Sequence, residues 1–475
     1  MRLLLYRALI LLAVTGLILA PPVLSGYAEI ERAQSVTGNV QKARHYERAA
    51  RLLPWRNDLW GLAGEAIYAS GNSSDSIPYL EKAKDTEDLS GFGWDILGHS
   101  YWQSGDHEAA IDVWESGLET HPQYFEFYSR LGMAYREKGD YAAEREAIEN
   151  WLAHAADSGL TSDYLGTSSA AFHYRFGQLL SISDPDRALD EFMLASSLDP
   201  EFDPAVETMR TTLNLASIET DESSKLVIVG RGLGLVGEWR LAVDAFHQAV
   251  AADGKNAEAW AWLGEAEQQL GRDGRAELDT ALSLERTNPV VRSLRGLYWM
   301  RRDRGDQALA EFLLAAEYDP DNPAWQISIG DAYAQRGDLQ AALRAYSRAT
   351  EMDPTDATLR LLLAAFSTRY NMQVEDVGLP AARMAVELSG DDPLALDMLG
   401  WTQALLGRYD QSQLALEHAL EIDPDFALAH LHLGMVAMQL DDWSAAHNSL
   451  LQARDLDVGG PVGEQAQLLL NQYFP

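Results

Sequence analysis

The residues of this chain best spaced for chemistry are Lys225-Leu226-Val227-Ile228-Val229 followed by Gly232, Gly234 and Gly237. A strand running into Gly-x-Gly-x-x-Gly at a helix start would turn backbone amides toward a pyrophosphate, as in dinucleotide sites. Such a site also needs a second strand ending in an acid about 20 residues on. Asp253 instead follows a helical pattern, and Gly230, Gly237, Trp239, Ala242 and Phe246 fit another periodicity of the chain. A nucleotide-dependent accessory protein using Gly232–Gly237 is therefore the weaker alternative. Gly232 and Gly234 should each weaken a helix by about 1 kcal/mol and mark a bend. His430 and His432 lie two apart, so on a helix they face different ways and do not form the four-apart pair of a metal site. Arg304-Gly305-Asp306 falls where a turn belongs, and Asn72-Ser73-Ser74 is a glycosylation sequon only in a host that modifies it. There is no cysteine, which removes disulfides, thiolate zinc and thiol nucleophiles. HExxH, GxSxG and P-loop motifs are absent. With 72 Asp and Glu, close carboxylate pairs arise by chance and nominate no acid/base couple. No catalytic, metal or cofactor site is legible.

Across 475 residues the chain carries 37 Lys and Arg against 72 Asp and Glu, a formal charge of −35. Nucleic-acid binding relies on Lys and Arg neutralising phosphates, so no nucleic-acid partner is expected. Hydrophobic residues make up 47%, enough for a folded chain despite the acidity. The charge is uneven. Residues 1–56 hold eight basic residues against Glu29, Glu31 and Glu47; the rest hold 29 basic against 69 acidic. This suggests a basic end held near anionic headgroups and an acidic remainder repelled from them.

Residues 1–25 stand apart as a membrane anchor or signal peptide. Arg2 and Arg7 precede an uncharged run from Ala8 to Ser25. A spanning helix wants about 20 apolar residues, and Leu3–Leu24 reaches that length if Arg7 snorkels to the interface. A signal peptide wants a basic start, a shorter apolar core and small residues at the cut, and Val23-Leu24-Ser25 before Gly26 would serve. A retained single-pass anchor with the remainder outside the cytoplasm is expected, the alternative being a secreted or periplasmic protein. Arg32, Lys42 and Arg44 beyond the run blunt the positive-inside argument for orientation.

The elements that would position any site repeat about every 34 residues. The clearest copy is Trp94, Leu97, Gly98, Tyr101, Gly105, Ala110, Trp114 and Pro122. The offsets return as Tyr128, Leu131, Gly132, Tyr135 and Gly139, and as Ile329, Gly330, Tyr333, Gly337, Ala342, Tyr346 and Pro354. Leu399, Gly400, Gly407, Tyr409, Leu416, Ala419 and Pro424 give them again. Apolar residues three and four apart predict two amphipathic helices per unit, with Gly-Asp turns at Gly105, Gly139 and Gly337. Small residues at the eighth and twentieth positions let the two helices approach, and the late proline ends the second. One unit cannot bury its apolar face alone, so neighbours must stack. About twelve units fit, starting at 23, 57, 91, 125, 170, 223, 257, 289, 323, 357, 393 and 427, with 159–169 and 203–222 matching poorly. The expected blocks are 26–158, an irregular 159–222, 223–460 and a capping helix over 461–475.

This pattern resembles the tetratricopeptide repeat family, in particular membrane-anchored or secreted bacterial-type members. The resemblance implies an all-α, right-handed superhelical solenoid that is not an enzyme and docks a protein or peptide partner. In that family the fifth, ninth and twelfth positions of each first helix face a concave groove. By register these are Glu65, Tyr68, Asp95, His99, Trp102, Met133 and Arg136 in the early repeats, a mixed polar and aromatic set. The late repeats supply Leu297, Met300, Ile327, Leu361, Trp401, Leu431, Met435 and Met438, a mostly apolar one. Met adapts its shape and Trp buries a large area, so an exposed set of this kind suits a partner. The same residues could equally be core where neighbouring helices close over them. The family's charge clamp for a partner's terminal carboxylate is not visible: Asp95, Ile327 and Asp397 occupy positions that would carry Lys. The expectation is a non-catalytic scaffold tethered through residues 1–25, with a partner segment in the groove.

Overall fold

The computed structural model describes residues 21–86, 88–158, 169–390 and 392–474. The anchor or signal expected over 1–25 lies outside the described residues except for its last five. Those belong to a helix over 21–35. Among the described residues no helix is long and apolar enough to cross a membrane.

All regular structure among the described residues is helical. Two compact units divide the chain, one ending at Leu215 and the other beginning at Ala216, inside the helix Asp203–Ile218. Among the described residues the first unit contains five helix pairs, from 21–35 with Asn39–Leu52 to Ser169–Leu180 with Pro185–Leu198. The second contains seven, from Glu222–Leu235 with Trp239–Ala252 to Ala427–Gln439 with Trp443–Leu456, and then Pro461–Tyr473. Within the pairs from Asp58–Tyr68 with Ser73–Lys84 onward the two helices pack on each other, and several successive first helices also touch, Asp58–Tyr68 with Gly91–Gln103 in the first unit and Ala257–Gln269 with Pro289–Met300 in the second.

The repeat glycines account for this packing. A Cβ on Gly98 would come within 2.3 Å of the Trp114 indole, and one on Gly230 within 2.5 Å of Phe246. The eighth-position glycine is thus the slot that receives a large residue of the partner helix. At the fifteenth position the chain reverses between the helices with positive φ in ten of the twelve pairs. Glycine holds seven of these, from Gly71 to Gly407, but Asp303, Asn371 and Asp441 adopt the same left-handed conformation at φ 56°, 51° and 58°. The next residue caps the following helix: Asp106, Asp140, Asp338 and Asp442 each accept a backbone N–H three residues on, at 3.0–3.2 Å.

Lys225–Val229 lies in the middle of the helix Glu222–Leu235, as the repeat reading, preferred over the strand one, expects, with Leu226, Val227 and Val229 buried. Burial in a helix–helix seam overrides the strand preference of the β-branched run. Gly232 and Gly234 sit inside that same helix, where Gly234 leaves room for Trp239 at 2.7 Å from the Cβ position. The poorly matching stretch 203–222 contains a helix of its own, Asp203–Ile218, with Val206, Met209 and Leu213 buried.

Five acids are buried among the described residues, and four of them reach the first helix of the next pair. Asp95 accepts from Arg130, Glu144 from Arg175 and Glu265 from Arg301. Asp397 pairs with His432.

Candidate functional site

The last two helix pairs and the terminal helix form a cavity of about 380 Å³. Its placement begins with the caps. Asp392 accepts from Leu394 N at 3.1 Å and Pro393 takes the first turn, which fixes the start of the helix Pro393–Leu405. Gly400 packs on Leu416 and Gly434 on Leu450, drawing each pair together. Within this frame Asp397, fully buried, holds His432 Nδ1 at 2.8 Å. The imidazole stacks on Trp401 with ring centroids 4.4 Å apart and planes 10° from parallel. A carboxylate thus orients an imidazole, which orients an indole at the mouth of the cavity.

Trp401, Met435 and Met438 line the cavity together, so three residues expected from register alone are brought to one place. Ala404, Leu405, Tyr409, Val436 and Gln439 complete two walls, and Leu469 and Tyr473 of the terminal helix form the third. These seven were missed. Leu469 had a signal: it is the ninth position if the 34-residue register continues from 461. Leu405, Gln439 and Tyr473 share another, each ending its helix at the thirteenth position.

Leu431 is a correction. It is 1% exposed, buried with Leu450, Ala466 and Leu470, because the terminal helix closes over it. Leu297 and Met300 pack on the cluster around Phe312 and Ile329, and Ile327 on the cluster around Leu363 and Phe366. Leu361 is half-buried apart from these. Leu297, Met300, Ile327 and Leu361 are all half-buried, as are Trp401, Met435 and Met438; the last three differ in lining one cavity together.

The early set forms a second, polar cluster in the first unit. Tyr68 Oη lies 2.7 Å from His99 Nδ1, and Arg130 donates to both oxygens of Asp95 at 2.9 and 3.4 Å. Burial, then the charge of Arg130, holds the His99 imidazole below its usual pKa. Burial likewise pushes the Glu65 carboxyl and the Tyr68 phenol up. Trp102 stacks on His107 at 4.0 Å and packs against the core. Met133 and Arg136 are exposed. These residues mostly satisfy one another. No group of three or more metal-ligating side chains occurs among the described residues.

Stacked helix pairs with side-chain-lined faces define a repeat protein of the α-solenoid class. Tetratricopeptide-repeat profiles match residues 97–159, 235–290, 330–366 and 394–426, and the chain belongs to the tetratricopeptide repeat proteins. The BBSome complex member BBS4 of Bos taurus is 24% identical over 266 residues, 55% of this chain and 50% of that protein. Superkiller complex protein 3 of Mus musculus is 26% identical over 163 residues, 30% of this chain and 10% of that one. The chain thus spans half or less of the length of these curated relatives. The crystal structure of yeast Tom70 is similar with a TM-score of 0.43 and 17% identity, covering 88% of this chain and 96% of that chain.

Proposed function

We infer that this protein is a non-catalytic scaffold, held at a membrane through residues 1–25, that docks a segment of a partner protein on its C-terminal repeats. The observation that carries the docking reading is the cavity of Trp401, Met435 and Met438, an aromatic and Met-lined recess of the kind that seats partner side chains. The BBSome member and Superkiller complex protein 3 bear names of complex subunits, which is consistent with a role in assembly. The tether reading is supported by the end of the first helix pair that residues 1–20 join. Leu24, Tyr27 and Trp55 are exposed there; Gly26 packs on Leu53 and Tyr27 meets Arg56, which keeps the two stretches near one another. Exposed aromatics with arginine suit a bilayer interface.

The docking reading is tested by affinity capture from detergent-solubilised membranes with the full chain and with Met438→Glu. A protein retained by the first and lost from the second supports it; capture unchanged by the substitution refutes the cavity as the site. N-terminal sequencing of the mature chain separates tether from secretion. Retention of the first residues supports the anchor, and a start near Gly26 gives a secreted binding module instead.

A further inference from the structure

The cavity that ends the second unit is largely apolar in its lining, and the chain segments next to that lining are acidic. Its lining contains no Lys or Arg. Leu405, Gln439 and Tyr473 all line it, and each is the last residue of its helix. The carbonyl ends of three helices therefore lie at the recess against the amino end of one, Tyr409–Ile422, and the balance of partial charge is negative, which favours a cation. Exposed carboxylates add to this: Asp410 follows the lining residue Tyr409, and Asp441 and Asp442 lie just beyond Gln439. The surroundings offer little compensation. Residues 391–475 hold thirteen Asp and Glu but only Arg408 and Arg454. Both are engaged, Arg408 with Glu375 and Arg454 with Asp455, at 2.6 Å.

An anionic partner would meet this field as repulsion, and a purely polar one would leave Trp401, Met435 and Met438 uncovered. We propose that the cavity takes a cationic amphipathic segment of a partner protein, its apolar face on the Trp and Met lining and its Lys or Arg on the carboxylate rim. This rests on the docking reading above and adds the chemistry of the partner. Helix-in-groove recognition needs apolar anchors three and four apart, and rim charges steer the approach and select against wrong partners.

The experiment uses the full-length chain and three labelled synthetic peptides of about 18 residues, long enough for five helical turns. One orders Leu and Lys as an amphipathic helix, one replaces Lys by Glu, and one replaces Leu by Ser. Binding is read by fluorescence anisotropy at low and high salt. The Leu/Lys peptide should bind at least about tenfold tighter than the other two, about 1.4 kcal/mol. Met438→Ser should weaken it by a similar factor. Asp410→Asn with Asp441→Asn should weaken it several-fold at low salt, with the difference fading at high salt. If the Leu/Glu peptide binds as well and Met438→Ser still abolishes binding, docking stands and the cationic inference is overturned. If the Leu/Lys peptide binds Met438→Ser as tightly as the parent, or none of the peptides binds, the cavity is not the site and the proposal falls.

Discussion

His432 sits 35 residues after Asp397 and pairs with it at 2.8 Å, the same separation that joins Arg130 to Asp95 in the first unit. Both acids occupy the fifth position of a repeat, and both bases the sixth position of the next. The two junctions therefore use one geometry with different bases. Asp397 is fully buried, and the imidazole meets one of its oxygens while Oδ2 has no hydrogen-bond partner.

Replacing His432 by Leu should accordingly be costly. It leaves a buried carboxylate without its partner, a loss of about 3–5 kcal/mol when the charge persists. Adding Asp397→Asn should recover part of the loss, because the stranded charge is gone. Denaturant unfolding of the single and double variants checks this, and equal stability of the two would contradict it. Trp401 fluorescence should change in both, since the stacked ring is lost.

The eighth-position glycines should not be interchangeable. Gly98→Ala puts a methyl group about on top of the Trp114 ring and should cost about 1–3 kcal/mol. Gly132→Ala meets Ile148 at 3.6 Å and Ala147 at 3.9 Å, both ordinary contacts, so it should stabilise by about 0.5–1 kcal/mol through helix preference. Thermal melting of the two variants would show opposite shifts.

At the fifteenth position, Asp303, Asn371 and Asp441 carry the left-handed strain that glycine avoids. Asp303→Gly and Asp441→Gly should each stabilise by about 0.5–1 kcal/mol, the cost of the strain less the added freedom of the unfolded chain. Unchanged or lower stability in both would show that the side chains have local partners worth more than the strain.

His99 makes the first unit sensitive to mild acid. Its folded pKa lies below the ordinary 6.5, because burial and then Arg130 disfavour the imidazolium. A lowered base contributes stability that is complete above the unfolded value and is lost as pH falls toward the folded one. The parent should therefore lose more stability than His99→Gln between about pH 7 and about pH 5. Melting curves at the two pH values give the comparison, and parallel losses would remove His99 as the cause.

Much of the fold was readable because it rests on repeated small residues. Gly98, Gly230 and Gly400 announce the slots, and Gly105 and Gly337 the reversals. What repeats once cannot be read this way: Asp203–Ile218 lacks a matching partner pattern, so the helix falls in a stretch that the register matches poorly. Periodicity likewise located Trp401, Met435 and Met438 but misjudged Leu431. Its position faces outward only until another helix covers it, and that depends on how Pro461–Tyr473 docks. Leu405, Gln439 and Tyr473 escaped because they line the cavity through the ends of their helices, not through the face that the register defines.

The four buried acids that reach across to a neighbouring helix pair also bear on how such a chain assembles in order. Units of nearly the same shape can stack on the wrong neighbour, a common failure of repeat proteins. Asp95 meets Arg130 and Asp397 meets His432 at one height along the helices, while Glu144 meets Arg175 and Glu265 meets Arg301 at others. A unit placed beside a stranger would seal a carboxylate in its seam with no base to meet it. Each of these four junctions thus penalises a neighbour that brings no base to that height, so part of the order of the repeats is written in charge as well as in chain connectivity.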